Sequence, residues 1–92
     1  MKLTEKEVNE IVAGERAYRM SKYFNGLNTM EPDEISLDDY VGMLEAWAGE
    51  ADRRVNGNDD TKNNTAGVME SIRKIAAWCH LAMEVYGAKA RQ

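Results

Sequence analysis

The residues best suited to chemistry are three glutamates, two of which lie in the segment LEAWAGEAD. Glu45 and Glu50 lie in this segment, and Glu70 stands in a later segment of helical period. Mg²⁺ prefers a few carboxylate oxygens together with water and phosphate oxygens. A site on this segment therefore needs a further glutamate from another helix, which makes Glu45, Glu50 and Glu70 the candidate metal ligands.

The same acids also fit an ordinary solvated helix edge. Asp38, Glu45 and Asp52 recur every seven residues and share one side of a helix, whereas Glu50 projects from the other flank. A row of carboxylates along one helix edge is common on protein surfaces. The sequence is compatible with both interpretations.

A second group of candidates combines basic side chains with one glutamate. Glu15, Arg19 and Lys22 fall on the apolar stripe of the first helical segment, and Arg73 and Lys74 lie in the third. Buried charges need partners, so these five residues are the candidate lining of a polar pocket that binds an anionic ligand. The alternative is that Glu15 pairs with Arg19 at the favourable i, i+4 spacing and that both face water.

Cys79 and His80 are adjacent, but neighbouring helix positions point about 100° apart, so the two do not form a nucleophile–base pair. Each is the only residue of its type, so the spacing of a zinc site does not occur. We expect Cys79 to be a small buried hydrophobic residue. A single cysteine excludes an intrachain disulfide and favours a reducing cytoplasm.

Two polar clusters, NGLNTMEPDE and NGNDDTKNNTAG, divide the chain into three segments of helical period. The predicted helices cover about residues 4–24, 37–55 and 65–86. Capping boxes are predicted at the start of the first helix, from Thr4 and Glu7, and at the start of the second, from Ser36 and Asp39. Gly87 is placed to end the third helix as a left-handed cap.

Helices of this length pack side by side, and 92 residues leave room for one domain. Residues 1–92 are therefore predicted to form one all-α domain, a three-helix antiparallel up-down bundle. A chain this short has a thin core, so dimerisation would help to complete it.

The third helix carries apolar residues on more than one side. Its predicted core seam consists of Val68, Ile72, Ile75, Cys79, Ala82 and Tyr86. A second patch contains Trp78 and Leu81, and one thin bundle cannot easily cover both sides. We therefore expect a homodimer with Trp47, Trp78 and Leu81 at its interface.

The overall charge and hydropathy exclude several classes of protein. The net charge is −4 and the isoelectric point is near 5.0, which argues against a duplex nucleic-acid binder. No apolar run is long enough to cross a membrane, and the first residues do not have the pattern of a signal peptide. These features predict a cytoplasmic protein.

Three segments are similar to parts of small phage-encoded MazG-like proteins, relatives of the all-α nucleoside triphosphate pyrophosphohydrolases. They are ERAYRMSKYFNG, LEAWAGEAD and ESIRKIAAWCHLAMEVYGAKAR, about half of the chain. The resemblance implies a helical fold in which carboxylates from two adjacent helices hold Mg²⁺. The metal then activates water that cleaves between the α and β phosphates.

The chain departs from the pattern of this family at both motifs. The family has a second glutamate three residues after the first, but here the residue three positions after Glu45 is Ala48. The family has an aspartate three residues after the later glutamate, but here the residue three positions after Glu70 is Arg73. A guanidinium there repels Mg²⁺ and attracts phosphate. The resemblance thus carries over Glu45 and Glu70, with Glu50 as a weaker third ligand.

Three functions follow as hypotheses. The first is a Mg²⁺-dependent pyrophosphohydrolase with Glu45, Glu50 and Glu70 on the metal. The second is a non-catalytic relative that binds a nucleotide-like anion through its basic residues. The third is a small helical accessory protein of phage type that docks on a host protein through Trp47 or Trp78. We expect binding rather than catalysis, with either no cofactor or Mg²⁺.

Overall fold

The computed structural model describes residues 2–20, 32–56 and 65–91, which are helical apart from short flanking segments. The helices are α1 (Glu5–Arg19), α2 (Leu37–Asn56) and α3 (Thr65–Tyr86), with a 3₁₀ turn at Pro32–Glu34 before α2. Within these ranges there is no strand. The predicted all-α class with three helices is confirmed. The predicted extension of the first helix over residues 21–24 lies outside the described residues.

Local capping chemistry sets several helix ends. The Thr4 hydroxyl accepts the Glu7 amide at 3.1 Å, and the Glu7 carboxylate accepts the Thr4 amide at 3.0 Å, so the predicted capping box is present. The Ser36 hydroxyl accepts the Asp39 amide at 3.1 Å at the start of α2. Gly87 ends α3 with φ of 80°, a left-handed conformation that glycine adopts without steric cost.

Helices α2 and α3 form an antiparallel pair joined by aromatic side chains. The rings of Trp47 and Trp78 meet edge to face, with centroids 5.7 Å apart. Nearer the start of α2, the ring of Tyr40 meets the ring of Tyr86 at 6.0 Å. Moving forward along α2 therefore means moving backward along α3, which fixes the residues that stand level with one another.

The buried core lies between α2, α3 and the turn before α2. It consists of Ile35, Tyr40, Trp78 and Leu81. The Tyr40 hydroxyl donates to the Pro32 carbonyl at 2.8 Å, so this fully buried ring satisfies its polar atom. Aromatic residues bury the most apolar area per side chain, so Tyr40 and Trp78 dominate the stabilisation of this small domain.

Two predicted interface residues belong to this core instead. Trp78 is 2% exposed and Leu81 is 8% exposed within a single chain, so the prediction that they meet another copy is wrong. The predicted seam is also misplaced, because Ile72 is exposed and Cys79 is only half-buried. The physical reason is size: α2 presents bulky aromatic rings, and these pack against the side of α3 that offers Trp78.

Helix α1 packs on α3 through its C-terminal half. Val12 and Glu15 are its buried residues, whereas Val8 and Ile11 on the predicted apolar stripe are exposed. Helix α3 thus lies between α2 and α1 and is the helix on which the domain is assembled. None of the described helices is both long and apolar enough to cross a membrane.

Candidate functional site

Glu15 on α1 binds two arginines, Arg19 of its own helix and Arg73 of α3. Its Oε1 accepts from Nε of Arg73 at 2.7 Å, and its Oε2 accepts from Nε of Arg19 at 2.7 Å. The predicted i, i+4 pair with Arg19 is therefore confirmed. The prediction that Glu15 faces water is wrong, since only 6% of the residue is exposed. The second arginine, from α3, makes this burial tolerable.

Opposing effects act on the Glu15 carboxyl. Burial raises its pKa because the charged form loses hydration, but the hydrogen bonds from Arg73 and Arg19 outweigh burial and leave the pKa below its ordinary value. The side chain is therefore a carboxylate held by two guanidinium groups at neutral pH.

Arg19 also connects α1 with α2. Its guanidinium carbon lies 5.6 Å from the ring centroid of Trp47 and 5.5 Å from that of Tyr18. A cation over an aromatic ring is attracted by the negative ring face. Arg19 thus contacts Glu15, Tyr18 and Trp47. The half-buried Trp47 contacts α1 and α3 of its own chain, and its place at a dimer interface stays a prediction.

Glu50 is the centre of a second polar cluster, between α2 and α3. Its Oε1 accepts from the Ser71 hydroxyl at 2.8 Å and lies 3.0 Å from Nη1 of Arg54. The ammonium of Lys74 lies 3.5 Å from Glu50 and 3.7 Å from Glu70. The Ser71 hydrogen bond, opposed by burial, lowers the Glu50 pKa, with further help from the two cations.

Two of the three predicted metal ligands therefore meet at a lysine. Glu50 and Glu70 share the Lys74 ammonium, while Glu45 stands exposed on the far side of α2. Among the described residues, no three His, Cys, Asp or Glu side chains lie close enough to hold a metal ion together. The convergence that the sequence required of Glu45, Glu50 and Glu70 does not occur.

The described basic residues of the predicted anion site fall into two clusters, and each is already paired with a carboxylate. Arg19 and Arg73 hold Glu15, and Lys74 holds Glu50 and Glu70. Lys22, the remaining member of that set, lies outside the described residues. The basic residues thus neutralise carboxylates between helices rather than lining an open pocket.

A groove of about 500 Å³ lies between the C-terminal ends of α1 and α3. Its charged lining consists of Arg16, Asp33 and Glu84, and Arg16 donates to Glu84 at 2.9 Å. Two acids and one paired base give this groove the wrong charge for a phosphate. It therefore does not replace the predicted anion site.

The α2–α3 pair carries exposed apolar residues on one side. The residue that follows each contact residue between α2 and α3 lies about 100° further round its helix. On α2 these are Val41, Ala48 and Val55, which follow Tyr40, Trp47 and Arg54. On α3 they are Ile72 and Cys79, which follow Ser71 and Trp78. All five are exposed or half-buried.

In an antiparallel pair of right-handed helices, these following positions point to the same side. Ala77, which precedes Trp78, is buried on the α1 side of α3. Among the described residues, those of α1 cover one side of the α2–α3 pair, and the opposite side is open. We call this open side the outer face, and it comprises Val41, Ala48, Val55, Met69, Ile72, Ala76, Cys79 and Met83.

The α3 part of the outer face has regular spacing. Met69, Ile72, Ala76, Cys79 and Met83 step by three and four, the spacing of a seam that packs against another helix. This signal is present in the sequence but overlaps the equally regular positions of the core. Only the aromatic residues of α2, which select Trp78 as the inner residue, decide between the two.

The chain matches no protein-family model, no curated protein and no solved structure. The resemblance to MazG-like proteins therefore stays a prediction that rests on the three segments quoted above.

Proposed function

We propose that this chain is a small helical binding protein that docks on a helical protein surface through its outer face. The observation that carries the proposal is that α3 is apolar on a side that neither α1 nor α2 covers. Ile72 and Met83 on this side are 42% and 49% exposed. An apolar side of a helix normally packs against another surface.

The contacts of the basic residues favour this function over nucleotide binding. A phosphate that approached Arg73 or Lys74 would compete with carboxylates that hold these cations at 2.7 Å and 3.5 Å. Displacing Arg73 would also leave the buried Glu15 carboxylate with one partner fewer, which is costly. These side chains are better explained as ties between helices.

Pyrophosphohydrolase activity has less support from the geometry. It requires carboxylates from two helices on one Mg²⁺, and here Lys74 lies between the two glutamates that do approach each other. A role as an accessory protein of phage type in a bacterial cytoplasm is compatible with the binding function. That role rests on the sequence resemblance and on the composition.

Site-specific photo-cross-linking tests the proposal. Benzoylphenylalanine is incorporated at position 72 in the cells that produce the protein, and the cells are then irradiated. A covalent adduct with a polypeptide should form, because position 72 lies on the outer face. The matched control is position 11, another exposed isoleucine, which lies on α1. Equal adduct formation at both positions would contradict the proposal.

A nucleotide assay tests the two other functions with the same preparation. Purified protein is incubated with Mg²⁺ and a mixture of nucleoside triphosphates, and pyrophosphate and retained nucleotide are measured. We expect neither. Release of pyrophosphate would establish the hydrolase, and a retained nucleotide that Arg73→Ala abolishes would establish the anion site.

A further inference from the structure

We propose that the occupant of the outer face is a second copy of this chain, and that two α2–α3 pairs stack as a four-helix bundle with α2 of each copy on α3 of the other. This inference rests on the proposed function and names its partner. An open two-helix layer with an apolar face is half of such a bundle. A two-fold axis closes it with no unpaired face.

Charge decides how the two layers stack. Asp38, Glu45 and Asp52 form an exposed acidic edge on α2, directly beside the outer face. Stacking α2 on α2 would bring two acidic edges together, which repel each other. Stacking α2 on α3 of the second copy instead brings this edge to the far edge of α3, where Arg73 and His80 lie exposed.

The levels of the residues match this arrangement. Trp47 is level with Trp78 within one chain, and a two-fold axis parallel to the helices preserves levels between copies. Asp52 lies five residues after Trp47 on α2, and Arg73 lies five residues before Trp78 on α3. Asp52 is therefore level with Arg73 of the second copy. Glu45 lies two residues before Trp47, and His80 lies two residues after Trp78. Glu45 is therefore level with His80 of the second copy.

Arg73 is able to serve both partners. Its Nε is held by Glu15, yet the side chain is 42% exposed. Its terminal nitrogens can therefore reach a carboxylate of the second copy, since a guanidinium has five donors in a fixed plane. The internal ion pair then orients the group that recognises the partner.

The same alignment predicts a specific cross-link. Ala48 lies on the outer face and is nearly level with Cys79 of the second copy, about two residues or 3 Å apart along the axis. Oxidation of Ala48→Cys should give a covalent dimer on a non-reducing gel. Ala46→Cys is the matched control, because Ala46 is also exposed but points to another side of α2.

The native chain, whose one cysteine is Cys79, should stay monomeric on the same gel, because the two Cys79 residues lie on diagonally opposite helices of the bundle. A covalent dimer of the native chain, or equal cross-linking of Ala46→Cys and Ala48→Cys, would overturn the arrangement.

Sedimentation equilibrium tests the self-association itself. The native chain should sediment at about twice 10.4 kDa, Ile72→Glu at the monomer mass, and the matched control Ile11→Glu at the dimer mass. Circular dichroism checks that each variant is helical. A native monomer at about 100 µM would overturn the inference. If position 72 then cross-links a different polypeptide, the proposed function stands and only the second copy is excluded.

Discussion

Nε of Arg73 on α3 lies 2.7 Å from Oε1 of Glu15 on α1, across 58 residues of sequence. This contact ties the half-packed first helix to the helix on which the domain is assembled. The same two residues were candidates for an anion pocket when considered from the sequence alone. Their contact is a structural link between α1 and α3.

Removing the Glu15 carboxylate should destabilise the fold. Glu15→Ala leaves Arg19 and Arg73 facing a vacated buried site, and we expect the free energy of unfolding to fall by about 2–3 kcal/mol. The figure is at or below the low end for buried ion pairs because Arg73 is partly exposed. Urea denaturation measures it, with the exposed Glu10→Ala as control. A loss no larger than that of the control would contradict the structural role.

The lowered pKa of Glu15 predicts an acid-dependent loss of stability. A depressed folded-state pKa means that the unfolded chain binds the proton more readily, so the stabilisation is complete above the unfolded value of about 4.3. It is lost as the pH falls through the folded-state pKa. Urea midpoints between pH 3 and pH 7 for the native chain and Glu15→Gln should therefore converge at low pH. A constant gap across this range would contradict the prediction.

Two glycines should respond to alanine with opposite signs. Gly87 has φ of 80°, so Gly87→Ala introduces strain and should lower the free energy of unfolding by about 1 kcal/mol. Gly42 lies within α2 with no atom within 4 Å of an added Cβ, so Gly42→Ala should raise it by about 0.5–1 kcal/mol. Thermal melts of both variants check the pair. A stabilising Gly87→Ala would contradict the assigned end of α3, and a destabilising Gly42→Ala would contradict the open position of Gly42 within α2.

The elements of the fold were accessible from the sequence because their signals are local. The capping box of Thr4 and Glu7, the cap of Ser36 and the terminal Gly87 each depend on neighbours within four residues. The side-by-side arrangement of α2 and α3 follows from the lengths of the helical segments. These features need no knowledge of distant contacts.

The sequence did not predict in the same way which side of α3 is buried. Trp78 and Ile72 both lie on regular apolar stripes, and the spacing of either stripe suits a helix seam. The choice depends on Tyr40 and Trp47 across the interface, which are not sequence neighbours. The burial of Glu15 likewise depends on Arg73 from a distant segment, so both residues were candidates from the sequence but their contact with each other was not predicted.

The thiol of Cys79 offers the most direct measurement, because it is the one cysteine of the chain and lies half-buried on the outer face. If a second copy covers this face, the labelling rate of Cys79 by a maleimide should fall as protein concentration rises from about 1 to 100 µM. Ile72→Glu should label rapidly at every concentration, and Ile11→Glu should follow the native chain. A native labelling rate that is independent of concentration and equal to that of Ile72→Glu would contradict the account.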